Sequence, residues 1–183
     1  MGIFTQTKPY GYAHLKKMER EGDAAGLIEA LDAPRVKKSA KLRAAVITSL
    51  RRVGAREAIP AISELLLSDP TEVVRRGAAF SLGQLGDTAA LPALRTALDD
   101  ASKTVQMWAI RSLGQLRDHE SVEALITKLD DPDPGFRSFA ANALGEIGDQ
   151  RATTALIRKL DDPKSAVRKA AERALDELGH SER

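Results

Sequence analysis

Apolar residues recur along this chain three, four and seven positions apart, in short runs separated by polar breaks. Leu91, Leu94 and Leu98 mark one kind of run, and Val122, Leu125 and Leu129 repeat it. A second kind carries Val74, Ala78, Leu82 and Leu85, then Val105, Ala109, Leu113 and Leu116. Such spacing puts the apolar side chains on one face of an α-helix. Between the two kinds of run lie Asp69-Pro70, Asp99-Asp100, Asp131-Pro132 and Asp162-Pro163. Asp offers an N-cap, and Pro discourages the preceding helix from continuing. Pro60 and Pro92 fall near the start of first-kind runs, where a missing N–H costs a helix least, so regular helix is expected a few residues after each cap.

The runs are phased. Gly22, Gly54, Gly86, Arg117, Gly148 and Gly179 follow one another at intervals of 31 or 32 residues, and Leu50, Leu82, Leu113, Leu144 and Leu175 keep the same steps. After Gly22, Gly86, Arg117 and Gly148 comes an Asp. Each period therefore reads as a helix closed by a left-handed glycine cap and followed by a newly capped helix. A pair of helices of this length cannot bury its apolar stripe alone, so neighbouring units must stack. The fold class expected is all-α, a right-handed α-solenoid of about five helical hairpins. Its boundaries are a flexible tail over residues 1–11, a partial capping unit over 12–22, and units over 23–54, 55–86, 87–117, 118–148 and 149–183, forming one repeat domain over 12–183. Tyr12 to Glu21 reads as a lone amphipathic helix. The first full unit is irregular, with a short run from Asp23 to Leu31 and a long stretch from Asp32 to Lys41. Gly83, Gly114 and Gly145 lie inside second helices, where they let backbones approach closely.

Composition narrows the functional classes. Aromatics make up 4% of the chain and cysteine is absent, which removes disulfides, thiol nucleophiles and thiolate metal sites. No apolar run approaches the ~20 residues that span a bilayer, and residues 1–10 lack the pattern of a signal peptide, so a cytoplasmic location and no membrane partner are expected. The net charge is only +2. It is unevenly placed, because Arg35, Lys37, Lys38, Lys41, Arg43, Arg51, Arg52 and Arg56 form a run without an acid. That run reads either as a solvated helix face with its loop or as an electrostatic docking patch.

The strings DPTEVVRRGAAFSLGQLGD, DPDPGFRSFAANALGEIGD and DPKSAVRKAAERALDELG resemble HEAT repeats, specifically the subtype seen in phycobilin lyases. The resemblance extends over about Asp23 to His180. It departs at Gln106, where other units have Arg, at Arg51 and Asp176, where inner units have Gly, and at Arg117, where a capping Gly is usual. The resemblance implies that the second helices line one surface, usually concave. The phase then names its rows: Ala44, Ala45, Thr48 and Arg52; Arg76, Gly77, Phe80 and Gln84; Met107, Trp108, Arg111 and Gln115; Ser138, Phe139, Asn142 and Glu146; Lys169, Ala170, Arg173 and Glu177.

The one Trp and two of the four Phe fall in the three middle rows. Phe80, Met107, Trp108 and Phe139, with Arg76, Arg111, Gln84, Gln115 and Asn142 around them, are the candidate partner-binding residues. Large aromatics and Met beside Arg are typical of protein-binding hot spots. The competing expectation is that Trp108 and Phe139, equivalent in adjacent rows, fill the space between second helices. Phe136 stands where other units have Val and is expected in the core. Arg75, Arg137 and Arg168 recur in phase and are expected to pair with loop Asp residues.

Catalysis finds little support. The deoxyhypusine hydroxylase group of HEAT proteins binds iron through His-Glu pairs early in its second helices. Here the matching pairs are Arg76-Gly77, Met107-Trp108, Ser138-Phe139 and Lys169-Ala170, and the sole His-Glu, His119-Glu120, is in another phase. No cofactor, metal or catalytic residue is therefore assigned. The function expected is a protein-interaction scaffold, monomeric or weakly dimeric. Alternatives are a lyase-like handling of a chromophore, with Glu146 or Glu177 as its acid, and nucleic-acid binding through residues 35–56.

Overall fold

The computed structural model describes residues 10–179. Among them there are twelve α-helices and no strand. The lone helix α1, Tyr12–Glu21, comes first. The first full unit is α2 (Ala24–Asp32), the single turn α3 (Pro34–Lys37) and α4 (Ala40–Arg52). Four regular pairs follow: α5 (Ile59–Ser68) with α6 (Glu72–Leu85), α7 (Leu91–Thr96) with α8 (Lys103–Gln115), α9 (Val122–Lys128) with α10 (Pro134–Ile147), and α11 (Thr153–Arg158) with α12 (Ser165–Glu177). The second helices α4, α6, α8, α10 and α12 pack side by side in that order, with α1 against α4, and form one layer of an α-solenoid.

All but one of the phased residues do what the pattern expects of them; Asp118 makes no side-chain cap and pairs with Arg95 instead. Gly22, Gly54, Gly86, Gly148 and Gly179 all adopt left-handed φ between 68° and 78°, and Arg117 holds the same place at φ 52°. Asp23, Asp87 and Asp149 accept hydrogen bonds from the N–H groups of Gly26, Ala89 and Arg151. A 3-10 turn precedes each regular first helix, at Arg56–Ala58, Thr88–Ala90, His119–Ser121 and Gln150–Ala152, and Pro60 and Pro92 follow in the first helical turn. Leu50, Leu82, Leu113 and Leu144 are fully buried, as is Phe136 at 2% exposure.

The start of the chain departs from expectation. Residues 1–9 of the expected tail lie outside the described residues, but Tyr10 is buried and meets the ring of His14 edge-on at 5.5 Å, while Gly11 caps α1. Part of the long stretch after Asp32 is helical, because Pro34 starts the turn of α3 and Val36 is buried beneath it.

Arginine staples join the units along their loop edge. Arg43 makes a bidentate pair with Asp69 at 2.6 and 2.9 Å, Arg75 with Asp100 at 2.8 and 3.0 Å, and Arg137 with Asp162 at 2.8 and 2.9 Å. Each of these arginines also donates to a backbone carbonyl of its own unit, Arg43 to Lys37 at the end of α3, Arg75 to Asp69 and Arg137 to Asp131. Arg168 reaches only such a carbonyl, that of Asp162. Gln106 likewise donates to the Asp100 carbonyl but is too short to bridge onward to the next unit. At that junction Arg95 takes over from the first-helix side, pairing with Asp118 and Glu120.

Candidate functional site

The face of the second helices rests on three glycines. A Cβ added at Gly83 would lie 2.4 Å from Ser112 Oγ, one at Gly114 2.8 Å from Ala143 Cα, and one at Gly145 2.7 Å from Ala174 Cα. Only glycine lets α6, α8, α10 and α12 come this close, and the facing residues Ser112, Ala143 and Ala174 are small for the same reason. The next unit's long side chain folds back over each glycine. The same added Cβ atoms would meet Gln115 Oε1 at 2.9 Å, Glu146 Oε2 at 2.8 Å and Glu177 Oε2 at 2.5 Å. These glycines, with Gln84, Gln115, Arg117, Glu146 and Glu177, line an open groove of about 710 Å³. A smaller groove of about 290 Å³ beside it is lined by Arg111, Phe139, Asn142, Arg173 and the same two glutamates.

The candidate residues sit together on this face. Phe80 and Trp108 meet edge-on at 5.0 Å between ring centroids. Arg51 lies 5.1 Å from the Phe80 centroid and Arg111 5.2 Å from that of Trp108, both within cation–π range. Phe80, Met107, Trp108 and Phe139 are all half-buried, and Met107, Trp108 and Phe139 have part of their surface against the core. Met107 spends its methyl group on the next helix, where it would stand 3.0 Å from a Cβ at Gly135. Arg76, Arg111, Gln84 and Gln115 are exposed, and Gln84 donates to Gln115 at 3.3 Å. Asn142 accepts from Arg173 at 2.9 Å. Beside Phe80, Gly77 leaves open space where a side chain would stand. Ala170 is a correction to the expected surface rows, because it is fully buried under α12.

Burial and the facing Glu177 push the Glu146 carboxyl above its usual range, against the pull of Arg111. Elsewhere charge is largely matched inside the fold. Half of the basic run is occupied, Arg43 by Asp69, Lys37 by Asp32, Arg52 by Glu19 and Arg51 by the Phe80 ring. His119 and Glu120 lie in a 3-10 turn, and their partners are Asp149 and Arg95. Among the described residues no three His, Asp or Glu side chains gather as a metal site would require. No helix there is long and apolar enough to cross a membrane.

The folding back of Gln115, Glu146 and Glu177 over the glycines escaped sequence reasoning. Its signal was present as a constant step of 32 residues from Gly83 to Gln115, Gly114 to Glu146 and Gly145 to Glu177.

Comparison with known proteins agrees with this architecture. No curated protein matches the sequence. Among solved structures, the complex of CpcE and CpcF of phycocyanin lyase from Nostoc sp. PCC7120 is similar, with a TM-score of 0.74 and 28% identity over 85% of this chain and 64% of that one. This chain thus spans less than two thirds of that relative's length. A designed armadillo repeat protein in complex with the peptide (KR)4 has a TM-score of 0.63 at 21% identity, covering 92% of this chain and 87% of that one, and shares the fold. Human deoxyhypusine hydroxylase shares it more loosely, with a TM-score of 0.50 at 21% identity over 91% of this chain and 77% of that one. The description of HEAT repeats matches residues 24–106 and again 92–176, nearly the whole solenoid. This chain belongs to the HEAT-repeat family.

Proposed function

We propose that the chain is a non-catalytic scaffold that holds a segment of a partner protein across its second-helix face. The observation that carries this reading is the state of the Phe80–Trp108 pair. A ring needed only for packing is buried like Phe136, whereas these rings pack on one side, keep the other at the surface and hold a guanidinium over each. Such half-buried, rigid aromatics lose little conformational freedom when a partner covers them, which is why they dominate binding energies. Similar solenoids point the same way, since CpcE was solved with CpcF and a designed armadillo protein with a peptide.

A second reading, handling of a chromophore or other small molecule, draws on the 28% likeness to the phycocyanin lyase complex and on the open groove with Glu146 at its wall. The test is a pull-down from the native cell extract with wild type and a Trp108→Ala/Phe139→Ala variant that circular dichroism shows to be helical. A protein retained by wild type and lost from the variant is the expected result. Retention of only a coloured compound moves the reading to the chromophore. Retention of only nucleic acid, with binding that falls steeply as salt rises, assigns the function to the basic segment instead.

A further inference from the structure

One row of the face narrows the chemistry of what it accepts. Along the C-terminal ends of the second helices stand Arg52, Gln84, Gln115, Glu146 and Glu177, one per unit. Charge along this row runs from positive through neutral to negative. The first three positions are satisfied, with Arg52 on Glu19 at 3.0 Å and Gln84 donating to Gln115. The acidic end is not. Glu146 faces Glu177, a like charge, across the two grooves that both residues line, and the cation that acts on Glu146 is Arg111. The nearby cations are engaged or turned elsewhere, Arg111 over Trp108 and Arg173 on Asn142, while Arg117 lines the groove without pairing. Both carboxylates lie over the glycine floor while staying open to solvent.

On the reading that this face takes a partner segment, we infer that the segment seats a large apolar side chain on Phe80 and Trp108 and lays a Lys or Arg between Glu146 and Glu177. The spacing follows from helix geometry. Trp108 on α8 and the midpoint between α10 and α12 are about one and a half helix spacings apart, ~14 Å across. Glu146 also lies seven residues further along its helix than Phe139, the equivalent of Trp108, which adds ~10 Å along the axis. The combined distance of roughly 17 Å is spanned by about five residues of extended chain. The segment is therefore polar in direction: anchor at the middle of the solenoid, basic residue toward α12.

A phage-displayed library of twelve-residue peptides, selected in parallel on wild type, Trp108→Ala and Glu146→Gln/Glu177→Gln, tests this. Wild type is expected to enrich peptides with an apolar anchor and a Lys or Arg four to six positions away. The Gln variant is expected to keep the anchor and lose the basic preference. For a synthetic, fluorescein-labelled copy of the leading peptide, replacing its basic residue by Glu should weaken binding about tenfold to wild type and less than twofold to the Gln variant. Peptides that depend on Trp108 but show no basic preference, or keep it on the Gln variant, overturn this inference and leave the scaffold reading standing. Enrichment of nothing that depends on Trp108 overturns the scaffold reading itself.

Discussion

The loop edge and the second-helix face are built from the same repeat yet obey opposite rules. On the loop edge the same pairing recurs at three junctions, and each of these arginines has its mate: Arg43 with Asp69, Arg75 with Asp100, Arg137 with Asp162. On the face, equivalent positions diverge. Gly77, Trp108, Phe139 and Ala170 share one phase, and Gln84, Gln115, Glu146 and Glu177 another. There the matching stops short, because two carboxylates face each other and two aromatic rings are only half covered. A position that serves the stack is constrained by its neighbours in every unit, while one that serves a partner is constrained by something outside the chain. On the proposed reading, the difference between the two regions is a difference between structural and binding roles.

The sharpest way to break this comparison is at a staple. Arg137→Ala leaves Asp162 buried without its counter-charge and should cost about 3–5 kcal/mol in urea unfolding. The double variant Arg137→Ala/Asp162→Ala should cost less than the single one, since no charge is stranded. Next comes the floor of the face, where Gly145→Val drives a side chain into the Ala174 backbone and should cost about 3 kcal/mol.

Acid should act on the loop edge as a whole. The Arg137 hydrogen bond holds the Asp162 carboxyl below its usual range. At Asp69, Asp100 and Asp118 burial pushes upward most strongly, but the arginine hydrogen bond, backbone N–H groups and the arginine charge together leave each carboxyl low as well. Folded values below the unfolded ones mean a contribution fully present above about pH 4 and lost as pH falls through the folded values. The urea midpoint should therefore hold from neutral pH to about pH 4.5 and drop below that. A midpoint that keeps its value below pH 4 would contradict the staples' role.

Two smaller effects sharpen the contrast from the other side. Gln106→Arg supplies the missing bridge, keeping the bond to the Asp100 carbonyl while reaching Asp131, and should add about 1 kcal/mol. Glu146→Gln should also stabilise, by at most about 0.5 kcal/mol at neutral pH because the residue is exposed and screened. Its sign is the reverse of the staples'. A carboxyl raised in the folded state costs stability when ionised, so the gain should vanish as pH falls below about 4.5, where wild-type Glu146 is itself protonated.

The fold was legible in the sequence because the repeat states the same constraint six times over. The glycine phase foretold the left-handed caps, and even Arg117, in the one marker without a glycine, takes the left-handed conformation. The staples of Arg75 and Arg137 were readable for the same reason. Their breakdown at Gln106 was visible as a departure, but the replacement was not. Arg95 and Asp118 belong to different phases, so no periodicity links them. The face was legible in its membership and not in its geometry. Phase placed Phe80, Trp108 and Phe139 on one surface, but whether a ring is covered depends on how far α6 and α8 approach. Gly83 and Ser112 set that distance by three-dimensional contact. Burial of Tyr10 was illegible because the residue stands before the first phased position, where no periodicity marks it.

The chain contains one Trp, so incorporation of 5-fluorotryptophan gives a single fluorine resonance at the centre of the face. Recording that resonance by 19F NMR before and after addition of the unlabelled, captured partner tests the central claim most directly. The account predicts that the Trp108 signal shifts or broadens as the complex forms. A complex that forms while the signal stays where it was would place the partner elsewhere and leave the aromatic pair as packing between helices.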